Sequence, residues 1–157
     1  MARHVFLTGE IQVGKSTAIR KFLAATGIAA DGFLSHIITA QVGRELYLAR
    51  YDTALGESDS RLAARVNYPE VEVFPEIFDL HGAELVRSAG AHALIIMDEL
   101  GTMEEVAEEF KRAVFERLDG GVPILGVVKK RDSPFLDAVR AHGNVEVITV
   151  TEENRDE

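Results

Sequence analysis

Gly9-Glu10-Ile11-Gln12-Val13-Gly14-Lys15-Ser16 has glycine, glycine, lysine and a hydroxyl residue at every fixed position of a G-x-x-x-x-G-K-[ST] loop. Its flanks agree with that reading. The run Val5-Phe6-Leu7 before it is short, apolar and closed by Thr8, which predicts a buried strand. After Lys15, the residues Ala18, Ile19, Phe22 and Leu23 recur at helical spacing until Gly27 stops the pattern. A strand, a glycine loop and a helix therefore follow one another in the first 27 residues, as a parallel α/β sheet requires.

A loop of this kind turns its main-chain N–H groups inward and places the start of a helix beneath them. It suits the phosphates of a nucleotide. The stretch Gly9, Glu10, Ile11, Gln12, Val13, Gly14, Lys15, Ser16 and Thr17 is the expected phosphate cradle. Within it Lys15 reaches the terminal phosphates, Ser16 takes Mg2+ through its hydroxyl, and Thr17 contacts an inner phosphate. Gln12 stands where many such loops carry another glycine.

Further along, Phe33 to Thr39 and Arg44 to Tyr51 read as two strands of a hairpin that turns at Gln41-Val42-Gly43. Residues 52–70 mix Gly56, Ser58, Asp59 and Ser60 with a weakly helical Arg61 to Arg65, which predicts a mobile loop or short helix. A helix is expected over 75–88, a buried strand over 93–97, and an amphipathic helix from about Met103 to Leu118 with Glu104, Glu105, Glu108 and Glu109 near its start. Val122 to Val128, a helix opened by Ser133-Pro134, and Val145 to Val150 complete the alternation. The fold class is α/β: one domain over 1–157, with a mostly parallel sheet, helices on both faces and a β-hairpin after the first helix.

The apolar run Leu94-Ile95-Ile96-Met97 ends in Asp98-Glu99, the form of a Walker B element. Ligands of parallel sheets sit outside the carboxyl ends of the strands, so this pair should face the same crevice as the loop. Asp98 is the expected metal residue, and Glu99 the base that orients or deprotonates an attacking water. Loops paired with such an Asp-Glu step usually have a strand between the two motif strands, and Val122 to Val128 is expected to fill that gap. Its end carries Lys129-Lys130-Arg131, any of which could stabilise charge on a transferred phosphoryl group.

With both motifs placed, the chain resembles a family of small P-loop nucleoside-triphosphatases, RecA-like in fold, that includes the vertebrate cancer-related nucleoside-triphosphatase and its prokaryotic relatives. The resemblance rests on Thr8-Gly9-Glu10 with Val13 to Thr17, on Asp31-Gly32-Phe33, on Asp98-Glu99-Leu100-Gly101-Thr102-Met103-Glu104, and on the ending Val150-Thr151-Glu152-Glu153-Asn154-Arg155-Asp156. It implies slow, Mg2+-dependent hydrolysis of several nucleoside triphosphates, with ATP, GTP, CTP and UTP as partners. By motif, Asp98 and Glu99 take the metal and water roles. The family commonly has lysine where this chain has Thr102. Its glycine- and arginine-rich segment is reduced here to Gly43, Arg44 and Arg50.

The rest of the composition narrows the choice. Seventeen basic against 26 acidic residues give a net charge of −9, which argues against nucleic acid and anionic membrane as partners. No run approaches the roughly 20 apolar residues of a membrane span, and the start of the chain lacks a signal-peptide pattern, so a cytoplasmic protein is expected. The absence of cysteine excludes thiol catalysis and cysteine-ligated metal. His4, His36, His81, His92 and His142 show no metal-ligand spacing. Two other readings share the loop. A nucleotide or small-molecule kinase would need a lid, for which Arg61 and Arg65 are the available arginines. An accessory protein could use slow hydrolysis as a timer. Preferred base, oligomeric state and physiological role are not written in the sequence.

Overall fold

The structure is a computed structural model that describes residues 3–10, 14–54, 56–89, 93–151 and 153–154. Its strands are β1 (His4–Thr8), β2 (Ala30–Thr39), β3 (Arg44–Asp52), β4 (Gly56–Asn67), β5 (Glu70–Val73), β6 (Leu94–Leu100), β7 (Ile124–Val128) and β8 (Val145–Thr149). They form one sheet in the order β5-β4-β3-β2-β6-β7-β1-β8. The five strands from β2 to β8 in that order run parallel, whereas β3, β4 and β5 are added antiparallel at one side. As expected from the Asp-Glu step, β7 lies between β1 and β6.

The apolar runs that show no alternation in the sequence are divided residue by residue between two cores. Phe6, Ile95, Met97, Ile124 and Val128 face one side with Phe33, while Leu7, Ile96 and Val127 face the other. Four helices cover the sheet: α1 (Lys15–Thr26), α2 (Ala83–Ser88), α3 (Glu108–Asp119) and α4 (Pro134–Ala141). Ile19 and Leu23 of α1 close the second core. Residues from α2, α3 and α4 close the first, where Phe33 and Phe78 each meet the ring of Phe110 edge-on at 5.6 Å. Phe110, Ala113, Val114 and Leu118 lie on one stripe of α3 and are fully buried. Burial of side chains of this size contributes about 1.5–3 kcal/mol each for the larger ones.

Residues 52–70 contradict their predicted loop or short helix. They contain the twelve-residue strand β4 and the turn into β5. The strand is illegible because Glu57 to Arg61 are exposed, and its register with β3 shifts twice, between Leu46/Tyr47 and Leu48/Arg50. Apolar periodicity is therefore confined to its last few residues. The helix expected from Met103 is also divided. Met103–Val106 forms a short 3-10 turn, Ala107 leaves helical geometry at φ −109 and ψ 88, and α3 starts afterwards. Asp79, from the wide-turn helical segment Ile77–Gly82, supplies the cap of α3 by accepting from the N–H groups of Glu109 and Phe110, both at 3.0 Å.

Asp31-Gly32-Phe33 has a structural explanation. A methyl group at Gly32 would lie 1.9 Å from the carbonyl oxygen of Ile96, so only glycine permits the approach of β2 to β6. The Asp31 carboxylate accepts from the Gly32 N–H at 2.8 Å and takes both arms of Arg50, at 3.1 and 2.7 Å. Arg50 is thereby committed to tying β3 to β2.

Candidate active site

The C-terminal ends of β1, β7 and β6 form a contiguous edge, and both sequence motifs lie on it. Gly14 caps α1 with φ 105, a conformation that favours glycine, and releases the chain into a helix whose first residues are Lys15 and Ser16. Ile11, Gln12 and Val13 lie outside the described residues. Thr17 is exposed on the first turn of α1.

Ser16 Oγ donates to Asp98 Oδ1 at 3.1 Å, across 82 positions of sequence. Lys15 Nζ donates to the Gly9 carbonyl at 2.8 Å and stands 3.9 Å from Glu99 Oε2. The four residues assigned to metal, phosphate and water chemistry thus meet in two pairs, Ser16 with Asp98 and Lys15 with Glu99. Burial raises the pKa of Asp98, opposed by the Ser16 hydrogen bond and by the charges of Arg20 and Lys15. Burial likewise raises that of Glu99, opposed by Lys15 and Lys129. A carboxylate made more basic in this way is suited to accept a proton.

A hydroxyl beside a buried carboxylate is a hard oxygen pair, the chemistry that Mg2+ prefers. No cluster of three or more histidine, aspartate and glutamate side chains suited to a metal occurs among the described residues. The pair therefore fits an ion whose remaining ligands are water and phosphate oxygens, as is usual for Mg2+ on nucleotides. Next to the pair, Ser16, Arg20, Leu34, Tyr51, Ile96 and Asp98 line a small cavity. On the other flank of the loop a cleft of about 670 Å³ runs beside Thr8, the Lys130–Asp132 turn and α4.

Residues 4–157 match the family model described as NTPase. The chain belongs to the NTPase family. Among its relatives, the "Nucleoside-triphosphatase THEP1" of Methanosarcina barkeri is 34% identical, with 97% of this chain and 90% of that protein covered. The "Cancer-related nucleoside-triphosphatase homolog" of Mus musculus is 30% identical, over 99% and 92%. The crystal structure of THEP1 from Aquifex aeolicus superposes with a TM-score of 0.76 at 23% identity, covering 98% of this chain and 92% of that one, and it shares the fold.

The contacts correct one expectation, the lid that the kinase alternative would draw from Arg61 and Arg65. Arg61 and Arg65 lie on β4, not on a helix. Arg61 pairs with Asp59 and Arg65 with Glu45 and Glu72, so neither forms a lid over the loop. The kinase reading loses its lid accordingly. Tyr68 is exposed in the β4–β5 turn, at the side of the sheet remote from β1.

Three residues at the site had no role assigned from the sequence. Ser35 of β2 exchanges hydrogen bonds with the Glu99 main chain: it accepts from the N–H at 3.2 Å and donates to the carbonyl at 3.5 Å. Arg140 of α4 donates to the carbonyls of Lys129, at 2.8 Å, and Arg131. Glu104 is placed by the sequence near the start of an amphipathic helix. It is 4% exposed and accepts from the Gly101 N–H. Burial pushes its pKa up to about 7. Its place at the end of the Asp-Glu-x-Gly-x-Met-Glu segment was the signal available.

Among the described residues no helix is long and apolar enough to cross a membrane.

Proposed function

We propose that this chain hydrolyses Mg2+-bound nucleoside triphosphates at the shared edge of β1, β7 and β6. The names of its NTPase relatives support hydrolysis of nucleoside triphosphates. The observation that carries the residue roles is the meeting of the two motifs, Ser16 on Asp98 and Lys15 beside Glu99. In this reading the loop amides and Lys15 bind the β- and γ-phosphates. Ser16 and Asp98 hold Mg2+, which when bound neutralises charge on the phosphate oxygens. Glu99 aligns a water with the γ-phosphorus and takes its proton as the new P–O bond forms and the bond to the β-phosphate bridge oxygen breaks. The products are a nucleoside diphosphate and inorganic phosphate. Ser35 fixes the Glu99 main chain, so that the carboxylate is presented from a held backbone.

Main-chain contacts to phosphate read no base, so ATP, GTP, CTP and UTP are all expected to be accepted. The 670 Å³ cleft beside Thr8 has room for the nucleoside. Phosphate release from purified protein with each triphosphate, with Mg2+ and with excess chelator, tests this reading. Release from all four that stops with chelator is the expected result. No release without an added acceptor would replace hydrolysis by transfer.

A further inference from the structure

Three cations follow β7 in the sequence, and their surroundings separate them. Lys130 pairs with Glu10 at 2.7 Å, and its side chain is exposed. Arg131 is exposed, with its carbonyl held by Arg140. Lys129 alone of the three is half-buried, and its main chain is fixed on both sides. Its N–H donates to the Leu100 carbonyl at 2.8 Å, and its own carbonyl accepts from Arg140 at 2.8 Å. That anchorage lies between the strand that leads into the phosphate loop and the strand that carries Asp98 and Glu99.

The Lys129 stem then runs along Gly101. A methyl group at Gly101 would stand 3.7 Å from Lys129 Cδ and 3.6 and 3.8 Å from the two carboxylate oxygens of Glu104. The lysine stem and the buried carboxylate therefore flank the same Cα. The Lys129 charge acts on both Glu104 and Glu99, and Lys15 acts on Glu99 as well. The charges of two lysines thus act on the expected base, and that of Lys129 acts on a buried carboxylate as well. A buried carboxylate is costly unless a cation and hydrogen bonds compensate it.

We propose that Lys129 is the cation that stabilises charge on the transferred phosphoryl group, and that Glu104 is a positioning residue that holds it there. The proposal rests on the hydrolytic reading of the site given above. Glu104 draws the ammonium toward the Gly101 side. Lys129 is thereby kept from collapsing onto Glu99 and neutralising the base. Oriented in this way, the ammonium can meet the γ-phosphate oxygens as charge develops on them.

The test combines Lys129→Met, Glu104→Gln and the double variant, with Lys130→Met as comparison. Turnover is read by phosphate release, and affinity by a fluorescent Mg-ATP analogue. Loss of a cation at the phosphoryl group lowers kcat by about 100-fold or more, so Lys129→Met should do this while nucleotide affinity stays within a few-fold. Glu104→Gln, which keeps the acceptor for the Gly101 N–H, should lower kcat about tenfold at unchanged affinity. The double variant should be no slower than Lys129→Met, because Glu104 acts through Lys129. Lys130→Met, at the edge of the cleft and paired with Glu10, should change nucleotide affinity rather than kcat, without the 100-fold loss of turnover expected of Lys129→Met. If Lys129→Met hydrolyses at the unmodified rate, the proposal fails while the hydrolytic reading stands. Multiplying single-variant losses in the double variant would reduce Glu104 to a structural role and overturn its assignment. Should Glu104→Gln not fold, Lys129→Arg decides, since it keeps the charge and must retain more turnover than Lys129→Met. If the unmodified chain releases no phosphate, it is the hydrolytic reading that fails.

Discussion

At the N-terminal end of β1, His4 is fully buried and both ring nitrogens are used. Nε2 donates to the Leu118 carbonyl at 2.8 Å, and Nδ1 accepts from the Ile124 N–H at 3.1 Å. At the C-terminal end, Thr8 is 9% exposed and its hydroxyl finds no partner among the described residues. Beyond it Asp98, Glu99 and Glu104 are carboxylates whose pKa values burial raises. One end of the strand satisfies its polar groups, and the other concentrates charges that a bare fold does not require. Where buried polarity is left under-compensated, binding or chemistry is the usual reason.

Substitutions at the two ends should therefore separate activity from stability. The largest effect is expected for Lys15→Ala: affinity for Mg-nucleoside triphosphate should fall by about 100-fold or more, because a charge-assisted contact to phosphate is lost. Equilibrium titration with a fluorescent analogue measures it. The fold should persist. Among the described residues Lys15 Nζ donates to the Gly9 carbonyl and approaches Glu99. Near-native affinity in Lys15→Ala would remove the loop from the binding site.

His4→Ala should show the opposite pattern. It strands the Ile124 N–H, at about 1–3 kcal/mol for an unsatisfied buried group, whereas the Leu118 carbonyl keeps the Asn144 side-chain amide as donor. The midpoint of thermal unfolding should fall by roughly 5–10 °C. Turnover per folded molecule should not change, since the residue lies at the far end of the strand from the candidate site. A selective loss of kcat at unchanged stability would break the comparison.

The pH dependences differ in sign at the two ends. Burial lowers the pKa of His4, so the unfolded chain takes up a proton there before the native state does, and stability contributed by neutral His4 is lost as pH falls below about 6.5. Glu104 behaves in reverse. Its native pKa of about 7 lies above its ordinary 4.5, so the native state holds the extra proton between those values. Stability should decline as pH rises through that window, by up to roughly 3 kcal/mol. Glu104→Gln should reduce the decline, leaving the contributions of Asp98 and Glu99, whose pKa values burial raises in the same direction; chemical denaturation between pH 5 and pH 8 measures it. An undiminished decline in Glu104→Gln would assign it to another group.

The legibility of the molecule follows the same division. The parallel strands β1, β6 and β7 could be read because each holds a short apolar run bounded by glycine or charge, and the helices between them have regular spacing. The hairpin β2–β3 was readable from its turn at Gln41-Val42-Gly43. The strand β4 was not, because an outlying antiparallel strand with an exposed first half has almost no apolar signature. At the site, the loop and the Asp98-Glu99 pair were legible because their chemistry demands fixed spacing. Ser35 and Arg140 were not, because Ser35 meets the Glu99 main chain only through the pairing of β2 with β6, and Arg140 reaches the Lys129 and Arg131 carbonyls only when α4 is folded back; the burial of Glu104, a charged residue among other acids, has no signature in the sequence.

The central claim is that Glu99 activates the attacking water while Lys15 and its loop bind the phosphates. Its most direct test is Glu99→Gln, with Mg-ATP affinity and single-turnover phosphate release measured on the same preparation. The account predicts affinity close to that of the unmodified chain and release slowed by about 100-fold or more, the usual contribution of a general base. Release at the unmodified rate would contradict it, and the base would have to be sought elsewhere on the edge formed by β1, β7 and β6.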